Sequence, residues 1–154
     1  MKNTQMKTTS SNPSPNGEVG RGLPRGLRNN NPLNIRRSKD QWQGLSAQQT
    51  DKAFFQFRTL AYGFRAGFKT IKTYMSKYGC RNITQIIMRW APPSENNTDA
   101  YVRKVCQMSH IGSLDALDFN NEKQMHDLVQ AMAYVENGVI IEGDSIRQGY
   151  RMAL

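Results

Sequence analysis

The spacing of apolar residues after residue 60 constrains the fold of this chain more than any other feature. Phe64, Phe68, Ile71, Met75 and Tyr78 recur every three or four positions, which is the repeat of an amphipathic helix. Gly79 follows as a helix stop. This run predicts one long helix with a continuous buried face, so the core of the protein is expected to be built mainly from helices.

Shorter apolar stripes and stop signals predict four more helices, over about 83–90, 98–108, 122–136 and 144–152. Pro92 and Pro93 stop the first of them. Thr98 is the expected N-cap of the second, and Asn137-Gly138 ends the third. Together the five helices predict a mainly α protein.

The segment before the long helix has a different pattern. Asn29-Asn30-Asn31-Pro32 is typical of a turn, and Leu33 and Ile35 then alternate with polar residues. Phe55 and Phe57 alternate in the same way. We therefore expect a small β-hairpin beside the helices, which gives a mainly α fold with one β element.

Composition divides the chain into two parts. Residues 1–23 are rich in Ser, Thr, Asn, Pro and Gly, which predicts a flexible tail, and residues 24–154 are expected to form a single domain. No run of apolar residues is long enough to span a bilayer, and the N-terminus has no apolar signal-peptide region. Synthesis in the bacterial cytoplasm is therefore expected, with Cys80 and Cys106 unbridged.

The charge and the histidines narrow the choice of ligands. The formal net charge of +9 favours polyanions, which include nucleic acid, teichoic acids and the carboxylate-bearing cell wall. His110 and His126 are 16 positions apart with no metal-ligand spacing beside them, so neither a metal site nor a cofactor is expected.

Carboxylate chemistry is the remaining catalytic option, because no nucleophile or phosphate-loop motif occurs. A carboxyl group stays protonated near neutral pH when apolar surroundings raise its pKa. Glu136 is the last member of the apolar stripe that includes Met125, Val129 and Met132, and it could serve as a general acid. The alternative is that Glu136 turns outward at a frayed helix end and is solvated.

Three further residues are candidates for the same site. Glu95 lies in a polar loop before a predicted helix, where it is either a second acid or a solvated loop residue. Trp42 lies outside any apolar stripe and could stack on a sugar ring, whereas the spacing of Trp90 favours the core. Tyr101 could line a cleft, although its helical spacing also fits the core.

The run from Gly26 to Arg36, GLRNNNPLNIR, resembles the opening of a family of phage and prophage virion-associated lytic proteins, labelled after the lytic structural protein of the enveloped double-stranded RNA phages. Later pieces resemble the same family, namely Trp42-Gln43-Gly44, Phe54–Phe57, Gly63–Ala66, Arg89–Pro92, and Glu95–Thr98 with Tyr101 and Val105. The resemblance covers about residues 25 to 140. It implies a lysozyme-like α+β fold, peptidoglycan lysis, and peptidoglycan together with virion or secretion-machinery proteins as partners.

A second resemblance concerns flagellar-type and autolysin-type glucosaminidases, whose helix ending in Glu-Ser-Gly precedes an Asn-Leu-Phe-Gly-Ile-Lys strand. Here Asn31–Arg36 is similar to that strand, but Glu136-Asn137-Gly138 comes downstream of it. If both resemblances hold, the domain is a circular permutation of that arrangement with Glu136 as its acid.

These arguments predict a lytic transglycosylase or muramidase that cleaves the bond between N-acetylmuramic acid (MurNAc) and N-acetylglucosamine (GlcNAc), acting on the cell wall and associated with a virion. Glu136 is the expected general acid and Glu95 the alternative. The residues expected to bind substrate are Asn29, Asn30, Asn34, Arg36, Trp42 and Tyr101. The asparagines could instead satisfy backbone groups of a turn.

Two other classes of function stay open. A non-catalytic structural component of a virion or secretion device could keep the same shape. A nucleic-acid-binding protein is suggested by the net charge and by Arg21, Arg25, Arg28, Arg36 and Arg37, but no predicted helix has a concentrated basic face. Binding of nucleic acid is therefore not expected.

Overall fold

The computed structural model describes residues 22–154, and within that range the chain forms six helices. They are α1 (Arg25–Arg28), α2 (Leu60–Tyr78), α3 (Ile83–Trp90), α4 (Thr98–Ser109), α5 (Glu122–Asn137) and α6 (Ser145–Met152). The predicted mainly helical class is confirmed. The tail predicted over residues 1–23 lies, apart from its last two residues, outside the described part of the chain.

The central helix α2 follows the predicted pattern. Its first turn is capped by Thr59, whose hydroxyl oxygen accepts a hydrogen bond of 3.2 Å from the amide of Tyr62. Gly79 ends it in the left-handed conformation, with φ of 70°. Within residues 22–154, no helix is both long and apolar enough to cross a membrane.

The last helix, α6, packs along α2 in the most extensive helix pair of the molecule. Gly149 brings the two backbones together, because a Cβ atom there would lie 2.6 Å from Cβ of Phe64 and 2.9 Å from the carbonyl oxygen of Ala61. Beside it, the ring of Tyr150 meets Phe68 edge to face at 5.4 Å. Close packing of this pair therefore depends on the absence of a side chain at position 149.

Three helices have an asparagine as their N-cap. The side-chain oxygens of Asn82, Asn97 and Asn121 accept hydrogen bonds from the first turns of α3, α4 and α5. The expectation that Thr98 caps α4 is wrong by one residue. The hydroxyl of Thr98 donates instead to the carbonyl of Ala91, and this bond ties the start of α4 to the end of α3.

The predicted β-hairpin is not confirmed. Within residues 22–154, strand pairing is limited to two isolated antiparallel bridges, which join Arg36 to Phe54 and Leu45 to Phe57. Asn34 has a left-handed φ of 53°, which an extended strand cannot contain. The segments therefore run side by side as irregular chain.

Side-chain hydrogen bonds from Asn31 take the place of some of the backbone hydrogen bonds that a regular hairpin would have. Its amide nitrogen donates to the carbonyl oxygens of Ile35, at 3.0 Å, and Phe55, at 2.9 Å. Its amide oxygen accepts from the backbone nitrogen of Ile35 at 2.9 Å. A wholly buried asparagine thus holds the two segments together where regular strands were expected.

Both cysteines are free thiols, as predicted. Cys80 is buried and Cys106 is half-buried. Burial raises the pKa of both thiols, and the negative charge of Asp115 adds to the increase at Cys106. The reactive thiolate form is therefore disfavoured at neutral pH.

Replacing Gly149 with alanine should lower the free energy of unfolding by about 1–3 kcal/mol, since the added methyl group separates α6 from α2. This loss should exceed the gain from the better helix propensity of alanine. Urea unfolding followed by circular dichroism measures the difference.

The matched control is Gln148→Ala, the neighbouring exposed residue of α6, which should change stability by no more than about 0.5 kcal/mol. If Gly149→Ala is as stable as the control, the two helices do not approach each other as closely as described.

Candidate functional site

Glu136 is buried near the C-terminal end of α5. Met125, Val129 and Met132 precede it on the same helical face and are wholly buried, so the face continues into the core at position 136. Glu136 is 5% exposed, and it is the only buried acidic residue between positions 22 and 154. The alternative of a solvated, frayed helix end is therefore wrong. The chain then turns at Gly138, which has a φ of 77°.

Two donors hold the carboxyl group of Glu136. The hydroxyl of Tyr101 donates to Oε2 at 2.8 Å, and the side-chain nitrogen of Asn34 donates to Oε1 at 2.9 Å. Tyr101 comes from α4, whereas Asn34 comes from the irregular segment between α1 and α2. Each oxygen therefore has a donor from a different part of the fold.

The hydroxyl of Tyr101 keeps its proton and acts as a hydrogen-bond donor at this site. Burial raises its pKa well above the ordinary value for tyrosine, and the negative charge and hydrogen bond of Glu136 act in the same direction. The indole of Trp90 has a smaller effect that lowers it. Tyr101 is 1% exposed, so its predicted packing in the core is confirmed, and it contacts the acid rather than lining an open cleft.

The backbone at Asn34 orients its side chain toward α5. Its φ of 53° is a conformation that asparagine tolerates better than most residues. The side-chain nitrogen bonds Glu136, while the side-chain oxygen is buried without a hydrogen-bond partner among the described residues. An amide in this place can offer either a donor or an acceptor to the carboxyl group, depending on its rotation.

Asn137 is a site residue that the sequence analysis used only as a helix stop. Its side-chain nitrogen donates to the carbonyl oxygens of Pro32, at 2.7 Å, and Ala133, at 2.9 Å. It is 4% exposed, and it fastens the end of α5 to the turn that carries Asn34. The sequence gives no signal for this role, because the contact with Pro32 joins residues 105 positions apart.

Gly26 completes this junction by having no side chain. A Cβ atom there would lie 2.4 Å from Oδ1 of Asn137 and 3.0 Å from Oδ1 of Asn34. The two amides next to the acid therefore pack directly against the backbone of α1. The glycine belonged to the motif recognised in the sequence, but its role was not predicted.

Three residues predicted to bind substrate have intramolecular contacts instead of contacts with the acid. The amide of Asn29 donates to Asp51 at 2.9 Å, and the amide of Asn30 donates to the carbonyl of Phe57 at 3.2 Å. The guanidinium of Arg36 lies over the ring of Phe54 at 5.2 Å. The hydrogen bonds of Asn29 and Asn30 thus fit the alternative in which these asparagines stabilise the local chain rather than bind substrate.

Glu95 and Trp42 lie elsewhere on the surface. Glu95 is exposed in the turn between α3 and α4, where its backbone nitrogen donates to the carbonyl of Pro92 at 3.0 Å. Trp42 is partly buried and lines a cavity bounded by α2 and α3. Trp90 is wholly buried, so its prediction as a core residue is confirmed.

Asp51 organises the segment that supports the site. It accepts two bonds of 2.7 Å from the guanidinium of Arg25, one from Asn29, and bonds from the amides of Ala53 and Phe54. Burial alone would raise the pKa of Asp51, but these donors outweigh it and hold the pKa well below its usual range. The carboxylate is therefore charged in the folded protein at all but strongly acidic pH.

Fold and site together define a small, mainly helical protein built around one buried glutamate. The chain is 41% identical over 117 residues to Protein P5 of Pseudoalteromonas phage PM2, a match that covers 74% of this chain and 71% of that protein. It therefore belongs to the family of this phage protein. No family model matches the sequence. The phage part of the resemblance seen in the sequence is confirmed, while lytic activity stays a prediction.

Replacing Asp51 with asparagine should lower the free energy of unfolding at neutral pH by about 1–3 kcal/mol, because charge-assisted hydrogen bonds are lost. A lowered folded-state pKa stabilises the protein above the unfolded-state pKa of about 3.9, and this stabilisation is lost as the pH falls further. The difference in free energy of unfolding between wild type and variant should therefore become smaller below about pH 4. Denaturant unfolding across this range measures it.

Glu142→Gln is the control, because it removes an exposed acid and should have little effect at any pH. A gap between wild type and Asp51→Asn that stays constant from neutral to acidic pH would contradict the assignment.

Proposed function

We propose that this protein is a peptidoglycan-degrading glycosidase that cleaves the MurNAc–GlcNAc bond with Glu136 as its general acid. The observation that carries the proposal is the burial of this one carboxyl group with a hydrogen-bond donor on each oxygen. Burial disfavours the charged form of a carboxyl group, as a general acid requires, whereas the two donors favour the carboxylate that remains after proton transfer. The resemblance of the sequence to lytic proteins supports the same reaction.

In the proposed mechanism, protonated Glu136 donates its proton to the glycosidic oxygen, and an oxocarbenium-like transition state follows. Tyr101 then stabilises the carboxylate that is left, through the bond to Oε2. Asn34 can form a hydrogen bond with either protonation state of Glu136, because its nitrogen can donate to the carboxylate and its oxygen can accept from the protonated acid. The acid can therefore lose its proton without a large rearrangement around it.

The next step has two routes. In a lytic transglycosylase the substrate supplies its own nucleophile, and no second carboxylate is needed. In a hydrolase, Glu95 or an aspartate would activate water. Glu95 lies on an exposed turn, which favours the first route but leaves substrate positioning as a second role for this residue. Mass spectrometry of digested peptidoglycan separates the routes, since only the first yields anhydro sugars.

The order of the elements agrees with a permuted lysozyme-like arrangement. In the glucosaminidases that the sequence resembles, the acid helix leads directly into the strand with the asparagine motif. Here Asn34 and Glu136 are 102 residues apart in sequence and yet in contact. We infer that α5 takes the place of the missing upstream helix.

A structural role in a virion is the second candidate, because the established relative is a phage protein. Such a component would keep the fold without clearing a peptidoglycan suspension. The nucleic-acid hypothesis is weaker, since four of the five arginines that suggested it, those within residues 22–154, have contacts within the chain. Arg25 pairs with Asp51, Arg28 donates to the carbonyl of Leu23, and Arg37 donates to the carbonyl of Asp51.

Glu136→Gln should abolish lysis while the fold is kept, with a loss in rate of about 10²–10⁴. The amide can be accommodated, because Asn34 can turn its unpaired oxygen toward the new donor. Melting temperature should therefore stay equal or rise, since the amide, unlike the carboxyl group, is neutral at every pH. Turbidity of a peptidoglycan suspension and thermal unfolding are the two measurements.

Glu95→Gln is the matched comparison, an identical substitution at an exposed acid. If only Glu95→Gln is inactive, the acid is Glu95 and the permuted assignment is wrong. If wild type and both variants lyse equally, neither carboxyl group is needed. If the wild type lyses nothing, the structural alternative replaces the enzyme.

A further inference from the structure

A cavity of about 720 Å³ lies between α2, α3 and the loop at residues 40–42. This volume is typical of sites for small ligands, which occupy about 300–1,000 Å³. Its walls combine aromatic rings with charged and hydroxyl groups, contributed among others by Asp40, Trp42, Thr73, Tyr74, Tyr78 and Arg89. Flat rings beside polar groups are the surroundings that a saccharide prefers, because its rings stack while its hydroxyls bond.

Arg89 gives the cavity a specific chemistry. The Cζ atom of its guanidinium lies over two aromatic rings, 3.7 Å from the ring centroid of Tyr78 and 5.5 Å from that of Tyr74, and these cation–π contacts favour its position. Among residues 22–154, no carboxylate or carbonyl accepts a hydrogen bond from this side chain. Its edge is therefore available for a ligand, and a guanidinium edge binds a carboxylate with two parallel bonds.

Trp42 is the second polar feature. Its indole nitrogen is buried and has no hydrogen-bond partner in the described part of the chain. Such a donor is unfavourable until an acceptor reaches it. An oxygen of a bound sugar, or a water molecule that it brings, would supply one after a small movement of the ring.

The cavity adjoins the acid through packed rings. Tyr74 on the cavity wall meets Trp90 edge to face at 6.3 Å, Trp90 interacts with Tyr101, and Tyr101 bonds Glu136. A continuous series of side-chain contacts therefore joins the cavity wall to the acid. A ligand held in the cavity would have a fixed place relative to Glu136.

We propose that this cavity binds a carboxylate-bearing amino sugar of the glycan strand, with its carboxylate on Arg89 and a ring face on Trp42. The identity of this ligand rests on the proposed function, but the anion site itself rests on Arg89. Asp40 lies on the loop wall, bonded to Ser38 at 3.0 Å, and favours sugar hydroxyls there rather than a second carboxylate.

Calorimetric titration of the full-length protein with two disaccharides tests the proposal. The GlcNAc–MurNAc disaccharide carries a carboxylate, whereas N,N′-diacetylchitobiose (GlcNAc–GlcNAc) is neutral and otherwise similar. The wild type should bind the first about ten-fold or more tightly than the second, as expected for charge-assisted bonds. Arg89→Gln should remove this preference, and Arg89→Lys should restore only part of it, because lysine lacks the planar fork.

Arg81→Gln is the matched control, since it removes the same charge from an exposed arginine that does not line the cavity. Equal losses in Arg81→Gln and Arg89→Gln would mean that only the net charge matters, which overturns the proposal. Equal binding of the two disaccharides by the wild type would also overturn it.

Failure of this binding site and failure of the proposed enzymatic function give different experimental results. Arg89-dependent binding without lysis supports this site and refutes the enzyme. Lysis with no change in KM or binding in Arg89→Gln supports the enzyme and refutes this site.

Discussion

The contact between the end of α5 and the turn at residues 31–36 is the interaction on which the rest of the site depends. Asn137 fastens α5 to the carbonyl of Pro32, and Asn34 bonds Glu136 across 102 positions of sequence. Because α4 packs against α5, the same junction brings Tyr101 to the second oxygen of the acid. Without this junction Glu136 would be a buried acid without the donor from Asn34, and desolvation would disfavour its charged form.

The junction is not optimised for stability. The side-chain oxygens of Asn34 and Asn137 are both buried without partners among residues 22–154, and both occupy the space that a side chain at Gly26 would need. Buried polar atoms without partners cost about 1–3 kcal/mol each, whereas apolar side chains of similar size would fill the space favourably. Such local departures from the best packing are typical of sites where chemistry takes precedence over stability.

Helix periodicity was sufficient to predict α2 to α6 and to place Glu136 on the apolar face of α5, because both follow from which residues share a face, but it did not predict the short helix α1. It could not predict the left-handed backbone of Asn34, which turned an expected strand into irregular chain. The roles of Gly26 and Asn137 were also out of reach, since they depend on contacts between distant parts of the chain. Sequence spacing records local geometry, whereas these residues act through the tertiary fold.

The surroundings of Glu136 are compatible with the proposed proton transfer. A carboxyl group in the core adds little to stability, since an apolar residue of similar volume is often as stable or more stable there. Here the carboxyl group has a donor on each oxygen, and one donor, Tyr101, is fixed by packed rings that extend to the cavity. Fixed donors around a single acid are what proton transfer requires, because the geometry must hold while the charge changes. In the folded protein, helix packing therefore sets the position of the acid on α5 and of the cavity walls on α2 and α3.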